Sequence, residues 1–125
     1  MRAQLYNEPP LTVSPSLAAA VGLNEAIVLQ QVHYWTQNSE KDGRNLVDGR
    51  YWIYRTYADW GKDFPFWCDS TIRGIIRRLE SAGLLLSGNH NKMPMDKTKW
   101  YAIDYTELDR RITEYEEQKA AEAAG

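Results

Sequence analysis

DSTIRGIIRRLESAGLLL, residues 69–86, is the stretch on which the reading of this chain turns. Ile72, Ile75, Ile76 and Leu79 recur at helical spacing and define one apolar side, while Arg73, Arg77 and Arg78 project elsewhere. Such a helix buries one stripe and offers a basic face outward. Gly83 stands where a helix C-terminus needs positive φ, and Leu84 to Leu86 open a strand directly after it.

Upstream of this segment, Thr56 with Asp59 three residues on resembles a capping box and opens a short helix through about Lys62. Phe64, Pro65, Phe66 and Trp67 make a turn, so helix, turn and helix run over residues 56–82. Downstream, a strand at 84–89, a polar tip at 90–98 and a strand at 99–104 make a β-hairpin. Residues 51–55 alternate aromatic and other side chains and read as the first strand of a small antiparallel sheet. The expected fold class is α+β, mainly α: a winged helix-turn-helix with a small antiparallel sheet and a C-terminal helix.

The flanks divide the chain into three. Residues 1–13 read as an extended arm, because Pro9 and Pro10 forbid regular helix. Residues 14–105 form the domain. It begins with Ser14 and Pro15 as cap and first helical residue of a short helix that Gly22 ends. Asn24 is expected to cap the next helix, 25–37, whose stripe of Val28, Val32 and Trp35 marks it as the central core helix. Residues 38–49, rich in Asn, Asp, Gly and Lys, suggest a polar loop or hairpin-like excursion. Residues 106–125 form a polar helix that serves as a dimerisation segment or a linker.

Composition narrows the function classes. A chain of 125 residues with 43% hydrophobic content suits one domain with one core. No run approaches the ~20 apolar residues of a membrane span, and Asn7, Glu8, Pro9 and Pro10 deny the N-terminus the apolar centre of a secretory signal. The first of these implies no membrane partner, and the lone Cys68, which cannot form an internal disulfide, suits a reducing, cytoplasmic setting. The net charge of −2 is unevenly distributed, with residues 1–105 at +1 and residues 106–125 at −3. Residues 70–99 hold six bases against two acids, and the local field governs phosphate binding more than the total does. His33 and His90 have no Cys or acidic neighbours at ligand spacing, and no Gly-rich phosphate loop or catalytic triad pattern stands out. The expectation is a non-enzymatic protein without metal or cofactor.

Three segments carry a resemblance: NEAIVLQQVHYW (24–35), DGRYWIYRTYADWGKDFPFW (48–67) and STIRGIIRRLESAGLLLSGNHNKMPMDKTKWYAIDY (70–105). Together they resemble the N-terminal winged-helix domain of replication-initiation and replisome-organiser proteins, including DnaD-like ones, carried by bacteriophages, plasmids and integrative elements. The resemblance covers about residues 10–105. It rests on the first helix, the aromatic strand and the wing ending in Lys-Trp-Tyr, since the 70–86 pattern alone is shared by many winged-helix regulators. It implies binding of origin DNA, with a replicative helicase or helicase loader as a possible partner. Longer members carry a further C-terminal helical domain, which lies outside the resemblance. Cys68 stands where such proteins would be expected to place a serine cap, a role that Asp69 is expected to take over.

For a winged helix, the contacts with double-stranded DNA would come from the recognition helix and the wing. Ser70, Thr71, Arg73, Gly74, Arg77 and Arg78 are the helix candidates: the arginines to read guanine, the hydroxyls to meet phosphate, and Gly74 to allow close approach. Asn91, Lys92, Lys97 and Lys99 are the wing candidates, with Asp96 weakening their field. The competing reading makes these charges a solvated face with local acidic partners. Met93, Pro94 and Met95 suit a minor-groove wedge, although packing against the globule is preferred. Trp35, Trp52, Trp60 and Trp100 read as core rather than stacking platforms, and Tyr51, Tyr54 and Trp67 stay open. Leu108, Ile112 and Tyr115 give the terminal helix a stripe that fits a homodimer seam or a fold-back onto its own domain. A transcriptional repressor and a protein-interaction module are the rival functions.

Overall fold

Ser14 accepts the Leu17 N–H at 3.3 Å and Pro15 takes the first helical position, so the chain enters its first helix as its sequence directs. The computed structural model of the protein describes residues 9–125; residues 1–8 of the expected arm lie outside the described residues, and residues 9–13 have no regular structure. The helices are α1 (Pro15–Val21), α2 (Leu23–Asp42), α3 (Tyr57–Asp63), α4 (Asp69–Ser81) and α5 (Tyr105–Ala124). The strands are β1 (Leu46–Val47), β2 (Arg50–Tyr51), β3 (Ile53–Arg55), β4 (Leu85–Gly88) and β5 (Lys99–Ile103). The class is α+β, mainly helical, with two small antiparallel sheets: β1 with β2, and three strands in the order β3-β5-β4.

Two helix boundaries depart from the sequence reading. Gly22, at φ 104°, joins α1 to α2 and occupies the cap position, so Asn24 lies inside the first turn of α2 rather than capping it. Helix α2 also continues through residues 38–42, which read as loop. Its polar residues Thr36 and Ser39 are buried, and the Thr36 hydroxyl donates back to the Val32 carbonyl at 2.8 Å. Polar side chains on a buried face hide the apolar period from the sequence. Gly43 then ends the helix in a left-handed conformation.

The run at 51–55 is not one strand. Tyr51 pairs with Leu46 in the small hairpin, whereas Ile53, Tyr54 and Arg55 pair with Tyr101, Trp100 and Lys99 of β5. Trp52 makes the change of sheet, donating its backbone N–H to the Asn45 carbonyl at 3.0 Å and its indole N–H to the Val47 carbonyl at 3.4 Å.

Helix α3 opens with the reciprocal capping box, Thr56 and Asp59 each accepting the other's backbone N–H at 3.0 Å. The acceptor role holds the Asp59 carboxyl below its usual range. Trp60 is fully buried beside Trp35, Phe64 and Tyr101, with ring centroids 5.3–6.0 Å apart. Ile72, Ile75, Ile76 and Leu79 of α4 are buried in the same core, each worth about 1.5–3 kcal/mol.

The end of α4 follows its sequence closely. Gly83, at φ 75°, donates to the Glu80 carbonyl at 3.1 Å and Leu84 donates to Leu79 at 3.0 Å, the two bonds of a Schellman turn. Leu84 and Leu79 are both buried, so the chain leaves the helix with an apolar contact and passes into β4. Helix α5 starts at Tyr105, with Asp104 accepting the Glu107 N–H at 3.1 Å, and stays helical to Ala124. No helix among the described residues is long and apolar enough to cross a membrane.

Candidate nucleic-acid interface

Burial of the four apolar residues fixes the rotation of α4 and turns Ser70, Arg73 and Arg77 to solvent. Cys68 occupies the cap position without a side-chain bond to the helix backbone. Asp69 does not take over that role: it is the first helical residue, and its carboxylate receives Arg73 Nε at 2.6 Å. It still lies near the positive end of the helix dipole. The hydroxyls of Ser70 and Thr71 sit 3.2 Å from Cys68 Sγ and hold that thiol down to about 7. A phosphate at this helix start would compete for the same hydroxyl protons.

The three arginines have different surroundings. Arg73 is tied to Asp69 and lies over the Tyr57 ring, 3.9 Å from its centroid. Arg78 reaches Glu25 of α2 at 3.1 Å and links the two helices. Arg77 is exposed and makes no ion pair or hydrogen bond with the described residues. Among the described residues, it alone of the three can engage a ligand without breaking a contact.

Gly74 lies mid-helix, where glycine costs about 1 kcal/mol relative to alanine. A β-carbon at this position would meet only the Arg78 guanidinium end, at 3.4 Å. The packing of the domain therefore does not demand a glycine here, and its backbone is open to close approach from outside.

The hairpin beyond α4 pairs Leu85 with Ile103 and Gly88 with Trp100. Its tip is braced by Asn91, whose amide nitrogen lies 2.7 Å from Asn89 Oδ1, 3.0 Å from the Asp96 carbonyl and 2.8 Å from the Thr98 carbonyl. The Asn91 amide oxygen accepts the Trp100 indole N–H at 2.7 Å. Asn91 is thus spent inside the wing rather than offered to a ligand. The Asp96 carboxylate accepts the Thr98 N–H at 3.0 Å, which holds its pKa below the usual range and keeps a negative charge at the tip.

Lys92 and Lys97 are exposed and unpaired among the described residues, whereas Lys99 reaches Glu80 on α4 at 3.2 Å. Of the six bases between residues 70 and 99, three are matched by an acid that the fold brings to them. Asp69 was visible at four residues' spacing. Glu25 and Glu80 were not, because their pairings depend on how α2 and β5 pack. Met93 and Met95 are 68% and 88% exposed, so the wing tip does not pack against the globule, the arrangement preferred from sequence.

Leu108 packs against the domain's own core, and Ile112 lines a shallow groove with Leu17, Leu29 and His33. His33 and Tyr105 are joined there at 2.7 Å. Tyr115 is half-buried farther along α5, with Lys119 against its ring. The first anchor of the expected dimer seam is therefore engaged within its own chain. Among the described residues no cluster of three or more His, Cys, Asp or Glu is placed to hold a metal ion. No family model matches this chain, and no curated protein or solved structure is significantly similar to it.

Proposed function

We propose that this chain is a winged helix-turn-helix domain that binds double-stranded DNA, with α4 entering the major groove and the β4–β5 hairpin lying against the backbone. The reading draws support from the order α2, β3, α3, α4, β4, β5 and from the pairing of β3 and β4 on either side of β5. The single observation that carries it is the outward face of α4, where Arg77, unpaired among the described residues, lies one turn from a glycine that the described packing does not need. Arg77 reads a guanine edge, Lys92 and Lys97 hold phosphates, and Arg73 and Arg78 serve mainly as struts for the helix. Service in replication initiation of a phage or other mobile element, with a replicative helicase or its loader as partner, rests on the sequence resemblance. A winged-helix repressor would use the same contacts.

Fluorescence anisotropy with labelled duplexes tests this reading. Arg77→Ala is expected to cost about 1–3 kcal/mol of sequence discrimination. Gly74→Ala is expected to stabilise the fold by up to about 1 kcal/mol while weakening duplex binding. Equal binding of all duplexes by the parent and both variants would defeat the proposal.

A second reading, a protein-docking module, is favoured by the exposed Met93 and Met95 and by the neutralisation of half the local bases. It predicts that Met93 and Met95, rather than Arg77, govern function.

A further inference from the structure

Arg55 and Lys99 are register partners, as are Ile53 and Tyr101, and Lys99 reaches across to Glu80 of α4. This sheet face meets the helices. The register partners between them, Tyr54 and Trp100, therefore point the other way, with their rings 5.3 Å apart. Trp100 continues to His90 at 5.5 Å and His90 to Trp52 at 4.5 Å, a run of four rings on the side of the sheet away from α4. The domain leaves Tyr54 49% exposed at the end of this run.

Two clefts adjoin at Tyr54. One, of about 260 Å³, lies at the free edge of β3 and includes Trp35, Asn38, Arg44 and Arg55. The other, of about 350 Å³, lies over Trp100 and includes Lys92, Asn91 and Asp96. Asn45 lines both, and its side-chain amide makes no hydrogen bond with the described residues. Each cleft thus offers an aromatic wall, an amide and a cation. Among the described residues Lys92 is unpaired, and Arg44 has only an exposed contact to Asp42 at 3.4 Å. Asp96 is the opposing charge, turned into its own loop by the Thr98 N–H.

The geometry points to a single-stranded nucleic-acid site in which successive bases lie on either side of Tyr54, with Asn45 at their edges and Lys92 and Arg44 on the flanking phosphates. An aromatic face stacks on any unpaired base, whereas in a duplex those faces are covered by neighbouring base pairs. Cations flanking both clefts favour a polyanion over an uncharged peptide. The site does not rest on the duplex reading, because it uses the sheet face opposite α4 and shares neither Arg77 nor Gly74; Lys92 at the wing is the one residue common to both.

Anisotropy of a labelled ten-nucleotide oligothymidine with the full chain, alongside Trp fluorescence, tests the inference. The parent is expected to bind at low salt with quenching of its Trp emission. Tyr54→Ala is expected to weaken binding about ten-fold or more, Tyr54→Phe to restore it, and Lys92→Ala to flatten the slope of log affinity against log salt by about 0.7. Circular dichroism of each variant verifies the fold, and Arg77→Ala is expected to bind the single strand as the parent does. Absence of oligothymidine binding by the parent, binding unchanged in folded Tyr54→Ala, or loss in Tyr54→Phe equal to that in Tyr54→Ala would each overturn the site. Duplex binding that survives Tyr54→Ala but falls in Arg77→Ala would show that the two surfaces act separately.

Discussion

Helix α4 and the β4–β5 hairpin are held in place by different forces. Four fully or nearly fully buried aliphatic side chains lock the helix into the common core, so its outward face is set by the hydrophobic effect. The hairpin tip has no such anchor. A single amide, Asn91, gathers two backbone carbonyls, the Asn89 side chain and the Trp100 indole, and the tip residues around it are largely exposed. A surface made by burial is rigid and insensitive to its outer residues, whereas one made by a polar hub depends on that hub.

This contrast can be broken most forcefully at Leu79, which is 1% exposed. Leu79→Ala is expected to cost about 2–5 kcal/mol in urea unfolding and to loosen the whole domain. Asn91→Ala is expected to cost less, about 1–2 kcal/mol, because Trp100 and the two carbonyls lose their partner near solvent. Its signature is local: amide exchange should accelerate between residues 89 and 99 while α4 keeps its protection. Equal acceleration in both regions would mean that they form one cooperative unit and that the comparison is wrong.

The smallest effect lies at the start of α4, where hydroxyls rather than apolar contacts adjust the chemistry. Because the thiolate is the reactive form, alkylation of native Cys68 should rise with pH through a midpoint near 7. Ser70→Ala and Thr71→Ala remove the hydrogen bonds that favour the thiolate, so each should move that midpoint upward. An unchanged midpoint in both would remove the hydroxyls from the account.

Features written in local sequence were legible in advance. Ser14 with Pro15, the reciprocal pair Thr56 and Asp59, the apolar stripe of α4 and the glycine turn at Gly83 all depend on neighbours within about five residues. The sheet change at Trp52 was not legible because it depends on the distant β5, and the extension of α2 was not because the polar Thr36 and Ser39 occupy its buried face. Trp100 read as core, whereas its ring lies on the outer sheet face beside the exposed Tyr54. Strand alternation predicts that neighbouring residues face opposite ways, but which of the two faces meets the helices depends on the fold.

Local chemistry alone was enough to place the starts of α1 and α3 and the stop of α4 and to turn the α4 arginines away from the core, since periodicity and capping act over a single turn of chain. Which of those arginines stays free was settled by packing: Glu25 and Glu80 come from other parts of the chain to Arg78 and Lys99, while Arg77 receives no partner among the described residues. Charge pairing depends on distances in space, and those exist only once α2, α4 and β5 have packed together.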